Sequence, residues 1–122
     1  LYLADSHPAM TALEQEGAQL VLHRPWRAPP DSPFIYEDET TYTGAPDKLA
    51  HTRAYEWAHP VSAILGGLLA AGFRLDFLHE HESLPWPHFP MMEPAGVGMF
   101  RLPATMPAMP VSFSLRATRM AP

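Results

Sequence analysis

The segment of residues 60–81 constrains the fold of this chain most, because it predicts a helix that passes directly into a strand. Its first half places apolar side chains at the spacing of a single helix face, and these are Val61, Ile64, Leu65, Leu68 and Leu69. Pro60 suits the first helical position, and Gly72 suits the position just past the last turn. The small pair Gly66–Gly67 indicates that the helix packs closely on a sheet.

Strands are predicted after this helix and at both ends of the chain. The stretch FRLDFLHEH alternates Phe73, Leu75 and Phe77 with polar residues, and VSFSLRAT near the end of the chain alternates in the same way. Residues 1–4 resemble the end of a buried strand. A helix is predicted over about residues 8–17, with Ser6 as its cap and Gly17 as its stop.

The middle of the chain is interrupted by prolines, which number 15 in 122 residues, about twice the usual ~5%. Those within residues 18–33 exclude any long strand there. The stretches FIYEDETTYTG and HTRAYEWAH are rich in β-branched and aromatic residues, so they predict a pair of antiparallel strands. Together the elements predict an α/β layered sheet. One long helix covers a single face, so the other face needs either a missing part of the protein or a second copy of the chain.

Composition excludes several classes of function. The formal net charge of −5 and the lack of a basic stripe argue against a nucleic-acid partner. The chain has no cysteine, so neither a disulfide framework nor thiolate chemistry is available. No apolar run approaches the ~20 residues of a membrane span, and no signal peptide is visible, so a cytoplasmic protein is expected.

Three groups of polar residues are candidates for chemistry. Asp5, Ser6 and His7 follow a strand, where ligands bind in open α/β sheets, although helix capping by Ser6 explains them equally well. The stretch YEWAHP leads into a helix N-terminus, where His59 either contacts a substrate or caps the helix. On a strand, His79 and His81 share one face, as zinc ligands do, although a polar strand end is the commoner explanation. We expect no metal.

The order of these segments resembles the C-terminal half of class I S-adenosylmethionine-dependent methyltransferases, in particular a bacterial small-molecule group. LYLADSHP is similar to the end of the family's fifth strand. YEWAHP resembles its Tyr-x-Trp-Asn-His segment before the last large helix, with Ala58 in place of Asn. AAGFRLDFLHEHES resembles the passage into the sixth strand, and FSLRAT resembles the seventh. The resemblance spans nearly the whole chain.

The resemblance implies an α/β fold class, the C-terminal part of a Rossmann-like methyltransferase sheet with strand order 3-2-1-4-5-7-6, in which strand seven is antiparallel between strands five and six. The chain would supply strands five, six and seven, two helices and a β lid insertion. Residues 1–17 would hold the end of strand five and a short helix, residues 18–58 the lid, and residues 59–122 the last helix and strands six and seven.

The resemblance also implies methyl transfer from S-adenosylmethionine to a small-molecule acceptor. The family's glycine-rich cofactor loop and its ribose-binding acid do not occur in this sequence, so no cofactor-binding residue is assigned and the chain alone is expected to be inactive. His7 and His59 are the candidate bases, and the candidate acceptor-binding residues are Asp5, Tyr36, Tyr42, Tyr55 and Trp57. The alternative is a non-catalytic α/β binding or dimerisation module.

Overall fold

The computed structural model describes residues 1–41 and 45–121. Within them the chain forms two helices, α1 (Pro8–Thr11) and α2 (Val61–Ala70). The longer strands are β1 (Tyr2–Ser6), β2 (Leu13–Glu16), β3 (Gln19–Leu22), β4 (Phe34–Glu37), β5 (Arg53–Glu56), β6 (Phe73–His81) and β10 (Ser112–Arg119). Three two-residue strands lie between β6 and β10, namely β7 (Ser83–Leu84), β8 (Glu93–Pro94) and β9 (Phe100–Arg101).

The strands form small antiparallel sheets, so the predicted fold class is wrong. Strand makes up 37% and helix 12% of the structure, which is not a Rossmann-like methyltransferase fold with two helices packed on a parallel sheet. All strand pairs in the described residues are antiparallel, in sheets of order β1-β10-β6, β2-β3, β4-β5 and β7-β9-β8. The hairpin β2-β3 has a two-residue turn, whereas parallel strands need a long crossover, and in the sheet β1-β10-β6 the last strand lies antiparallel between the other two.

The sheet β1-β10-β6 carries the helix α2 on one face. In the register of this sheet, Leu115 at the centre of β10 pairs with Leu3 on one side and Leu78 on the other. The predicted apolar stripe packs there through Val61, Ile64, Leu65 and Leu68, whereas Leu69 is 61% exposed. The predicted close approach at Gly66–Gly67 is wrong, because a methyl group added at either glycine would meet no neighbour within 4 Å.

A bulge changes the side-chain pattern of β6. The register shifts between Arg116 and Ala117 of the partner strand, so Arg116 faces Phe77 and Ala117 faces Leu75. Phe73 packs with α2, but the ring of Phe77 lies 6.2 Å from that of Tyr2 on the opposite face. Such bulges bend a strand and redirect its side chains.

A second apolar core lies between α1 and the sheet β7-β9-β8. Its buried residues are Met10, Leu84, Phe89, Met92, Leu102 and Val111. The proline-rich loops therefore fold around a core of their own, which gives a fixed structure to segments that have little regular secondary structure.

The predicted helix over residues 8–17 is also wrong in extent. After the single turn of α1, residues Leu13–Glu16 pair with Gln19–Leu22 as a hairpin. Gly17, with φ of +61°, lies in the connecting turn, so it ends a strand rather than a helix. The cap is His7 and not Ser6, because the backbone N–H of Ala9 donates to the His7 ring.

The predicted antiparallel pair in the middle of the chain is present as β4 and β5, each four residues long. Neither of the helices within the described residues has the length and apolar character to cross a membrane.

Candidate functional site

The carboxyl end of β1 is the centre of the candidate site, and His7 is its most buried polar residue. His7 is 9% exposed, and its ring lies edge-on to that of Phe113. Nδ1 accepts a hydrogen bond from the backbone N–H of Ala9 at 3.1 Å, and Nε2 lies 3.0 Å from Oε1 of Glu80. The tautomer with its hydrogen on Nε2 satisfies both contacts, since Nδ1 must accept. His7 can therefore act as a base only by giving up one of these bonds.

A cavity of about 110 Å³ lies beside His7 and brings together Asp5, Trp57 and His59, three of the predicted site residues. The indole N–H of Trp57 donates to the carbonyl oxygen of Pro30 at 3.0 Å, which fixes the ring against the proline-rich connector. Oδ1 of Asp5 accepts from the backbone N–H of Ser6 at 2.7 Å. The cavity thus has an acidic wall, an aromatic wall and an imidazole.

His59 does not cap α2. The cap residue is Pro60, and no side chain makes a capping hydrogen bond at this helix end. His59 is an exposed residue on the cavity wall, so its ring is accessible to a ligand. The ring of His7 is buried and is not accessible.

The predicted lid tyrosines are not brought together. Tyr55 pairs with Ile35, whereas Tyr36 pairs with Ala54, which places the two tyrosines on opposite faces of the hairpin. Tyr55 is 54% exposed, and Tyr36 is half-buried. Tyr42 lies outside the described residues, so its predicted role stays a prediction.

A polar cluster that the sequence did not reveal lies around Tyr36. The guanidinium carbon of Arg24 is 5.2 Å from the ring centroid of Phe34 and 5.3 Å from that of Tyr36. Nη1 of Arg24 donates a hydrogen bond to the Tyr36 hydroxyl, and the carboxylate of Glu56 lies nearby. Glu56 also lines the cavity beside His7, so the cluster and the cavity adjoin each other.

Titration in this cluster is shifted. Burial, followed by the nearby Glu56 carboxylate, raises the pKa of Tyr36 above its ordinary value, and Arg24 opposes this in part. Burial lowers the pKa of His88, while Glu56 acts in the opposite direction and Arg24 adds to the lowering. At neutral pH both side chains are therefore uncharged, which leaves Arg24 and Glu56 as the charged members of the cluster.

The uncovered face of the sheet β1-β10-β6 carries the histidines that invited a zinc interpretation. The His79 ring stacks on Phe77 at 4.6 Å, and Nε2 of His81 lies 2.8 Å from the hydroxyl oxygen of Ser114. Among the residues that the structure describes, no group of three or more His, Cys, Asp or Glu side chains is placed to hold a metal ion. A cavity of about 270 Å³ opens on this face between Tyr2, His81 and Trp86.

The comparisons with known proteins add no assignment. No protein-family model, no curated protein and no solved structure matches the chain.

Proposed function

We propose that this chain supplies the acceptor side of an S-adenosylmethionine-dependent methyltransferase, which transfers a methyl group to a small molecule. The observation that supports this most is that Asp5, Trp57 and His59 line one cavity. The resemblance assigns Asp5 and Trp57 to acceptor binding and His59 to a base, and Asp5 is far in the sequence from the neighbouring pair Trp57 and His59.

Within this proposal, the residues position an acceptor rather than activate the methyl donor. Methyl transfer by in-line displacement depends chiefly on positioning and on exclusion of water. Trp57, held by Pro30, provides an apolar wall, and His59 is the accessible base for an acceptor that must lose a proton. His7 holds the end of β1 in place through Ala9 and Glu80.

The residues of this chain do not fit a binding site for the cofactor. Within the described residues, no glycine-rich loop connects a strand to a helix, and no acid is placed after such a unit. We therefore assign cofactor binding to a segment outside these 122 residues. The uncovered sheet face with Tyr2, which is 63% exposed, is the surface we assign to that segment or to a second copy of the chain.

The experiment is complementation. The chain is co-purified with the cofactor-binding N-terminal half of a methyltransferase from the resembling family, and transfer of tritiated methyl groups to a panel of phenols, carboxylates and amines is measured. The cognate C-terminal half of that enzyme serves as the positive control. We expect transfer with the paired halves and no S-adenosylmethionine binding by calorimetry for this chain alone. If the control pair is active and this chain is inert with every acceptor, the proposal is wrong.

The alternative of a non-catalytic binding or dimerisation module is favoured by the same uncovered sheet face. It predicts a stable dimer that buries more than ~1,200 Å² in total. Sedimentation equilibrium measures whether the chain is a dimer. A dimer that persists in the presence of the cofactor-binding half, together with no transfer, would favour the alternative.

A further inference from the structure

A further cavity, of about 380 Å³, lies next to the polar cluster around Tyr36 and has the size of a small-molecule site. Leu13, Phe89 and Pro90 form its apolar side. Its polar side includes Arg24 and His88, and Glu14 lies at its wall. A cavity of this composition suits a ligand with an apolar body and one charged group.

Arg24 is held in place for such a ligand. Its guanidinium packs against the rings of Phe34 and Tyr36, which attract a cation through their faces. A guanidinium has five N–H donors in a rigid fork, and within the described residues only Nη1 of Arg24 has a hydrogen-bond partner. Donors therefore remain for a carboxylate, whose two oxygens match this fork.

Two carboxylates lie near Arg24. Glu56 lies beside Tyr36, and Oε2 of Glu14 lies 2.9 Å from Nδ1 of His23. Tyr36 stays protonated at neutral pH because burial and Glu56 raise its pKa, so it contributes no compensating charge. Arg24 itself takes part in none of the ion pairs found within the described residues, so no carboxylate of that part of the chain occupies its guanidinium.

We propose that this cavity binds a small aromatic carboxylic acid, with the carboxylate on Arg24 and the ring against Leu13, Phe89 and Pro90. His88, at the same wall, is a hydrogen-bond partner for the bound molecule. The inference rests on the proposed function only in identifying that molecule as the methyl acceptor, since binding itself requires no cofactor.

Benzoate and its uncharged isostere benzamide are the probes, used with the full chain at pH 7. Binding is followed by saturation-transfer NMR and by the ring Cε1–H resonance of His88. We expect saturable binding of benzoate and at least tenfold weaker binding of benzamide, because benzamide has no charge and only one acceptor oxygen, so the bidentate charged pair with Arg24 is lost.

Arg24→Gln is expected to weaken benzoate binding by about tenfold or more, for the same reason. Arg27→Gln is the matched control, because Arg27 lies in the same connector and lines no part of this cavity. Circular dichroism of each variant shows whether it is folded.

A measurement on the unaltered chain keeps the test independent of any variant. Arg24 and Glu56 are the charged groups that act on His88, and Glu14 lines the same cavity. A bound carboxylate adds a negative charge there, so benzoate should raise the pKa of His88 and benzamide should not. Equal binding of the two probes, or benzoate binding unchanged in Arg24→Gln, would overturn the inference.

The outcome also separates this inference from the proposed function. If benzoate binds but the complemented enzyme transfers no methyl group, the proposed function is wrong and the carboxylate site stands. If methyl transfer occurs but benzoate does not bind, the carboxylate site is wrong and the proposed function stands.

Discussion

Nε2 of His7 lies 3.0 Å from Oε1 of Glu80, so a side chain that follows β1 is tied to β6 across the intervening strand β10. The same imidazole accepts the backbone N–H of Ala9 and caps α1. One histidine therefore fixes the position of the chain at the point where the strand ends and the candidate cavity begins.

Removal of this histidine should cost stability. We expect His7→Ala to lower the free energy of unfolding by about 1–3 kcal/mol, because a cap and a partly buried hydrogen bond are both lost. Glu80→Gln should cost less than about 1 kcal/mol, since the Glu80 side chain is 57% exposed. Urea unfolding measures both. Glu82→Gln, at an exposed position two residues along, is the control; a similar loss for Glu82→Gln and His7→Ala would contradict this role.

Two glycines should respond in opposite directions to the same substitution. Gly17→Ala should destabilise the chain by about 1–2 kcal/mol, because the residue has φ of +61°. Gly66→Ala should stabilise it by about 0.5–1 kcal/mol, since the position is inside α2 and the added methyl group meets nothing within 4 Å. Thermal unfolding of the two variants provides the comparison. A loss of stability in Gly66→Ala would mean that α2 is more closely packed than described.

The carboxyl group of Asp76 should titrate below its ordinary pKa of 3.8. The Thr118 hydroxyl, which donates to Oδ2 at 2.6 Å, is the main cause, and Arg74 and Arg116 lower the pKa further. Because the folded-state pKa is lowered, the stabilisation is present above pH 3.8 and is lost as the pH falls through the folded value. Thr118→Val should raise the pKa of Asp76 toward 3.8, as measured by carbon-13 NMR of its carboxyl group. Thr11→Val, whose hydroxyl contacts Pro8, should leave it unchanged.

The sequence predicted individual elements better than their arrangement. The periodicity of the α2 segment and the alternation in β6 are strong local signals, and both elements lie where they were expected. Gly17 ends either a helix or a strand, so the short helix was placed over residues that form a hairpin. The fold class failed although one pairing was right. β10 lies antiparallel between β1 and β6, as expected of strand seven between strands five and six, but the described residues form small antiparallel sheets rather than a parallel α/β sheet.

The site was predicted in part for a related reason. Asp5, Trp57 and His59 stood out because each lies next to the end of a strand or the start of a helix. Arg24 and His88 occur in proline-rich connectors, with no spacing that links them to Tyr36 or Glu56. Only the tertiary structure brings those four together.

The measurement that tests the account most directly is methyl transfer by the complemented enzyme with Trp57→Ala, compared with Trp26→Ala. Trp57 lines the cavity with Asp5 and His59, whereas Trp26 is 51% exposed and lies outside it. Loss of an aromatic wall and of acceptor positioning should lower kcat/KM by about tenfold or more in Trp57→Ala. Trp26→Ala should remain within about twofold of the unaltered chain, a difference below about 0.5 kcal/mol. Equal activity of the two variants would contradict the assignment of this cavity to the acceptor.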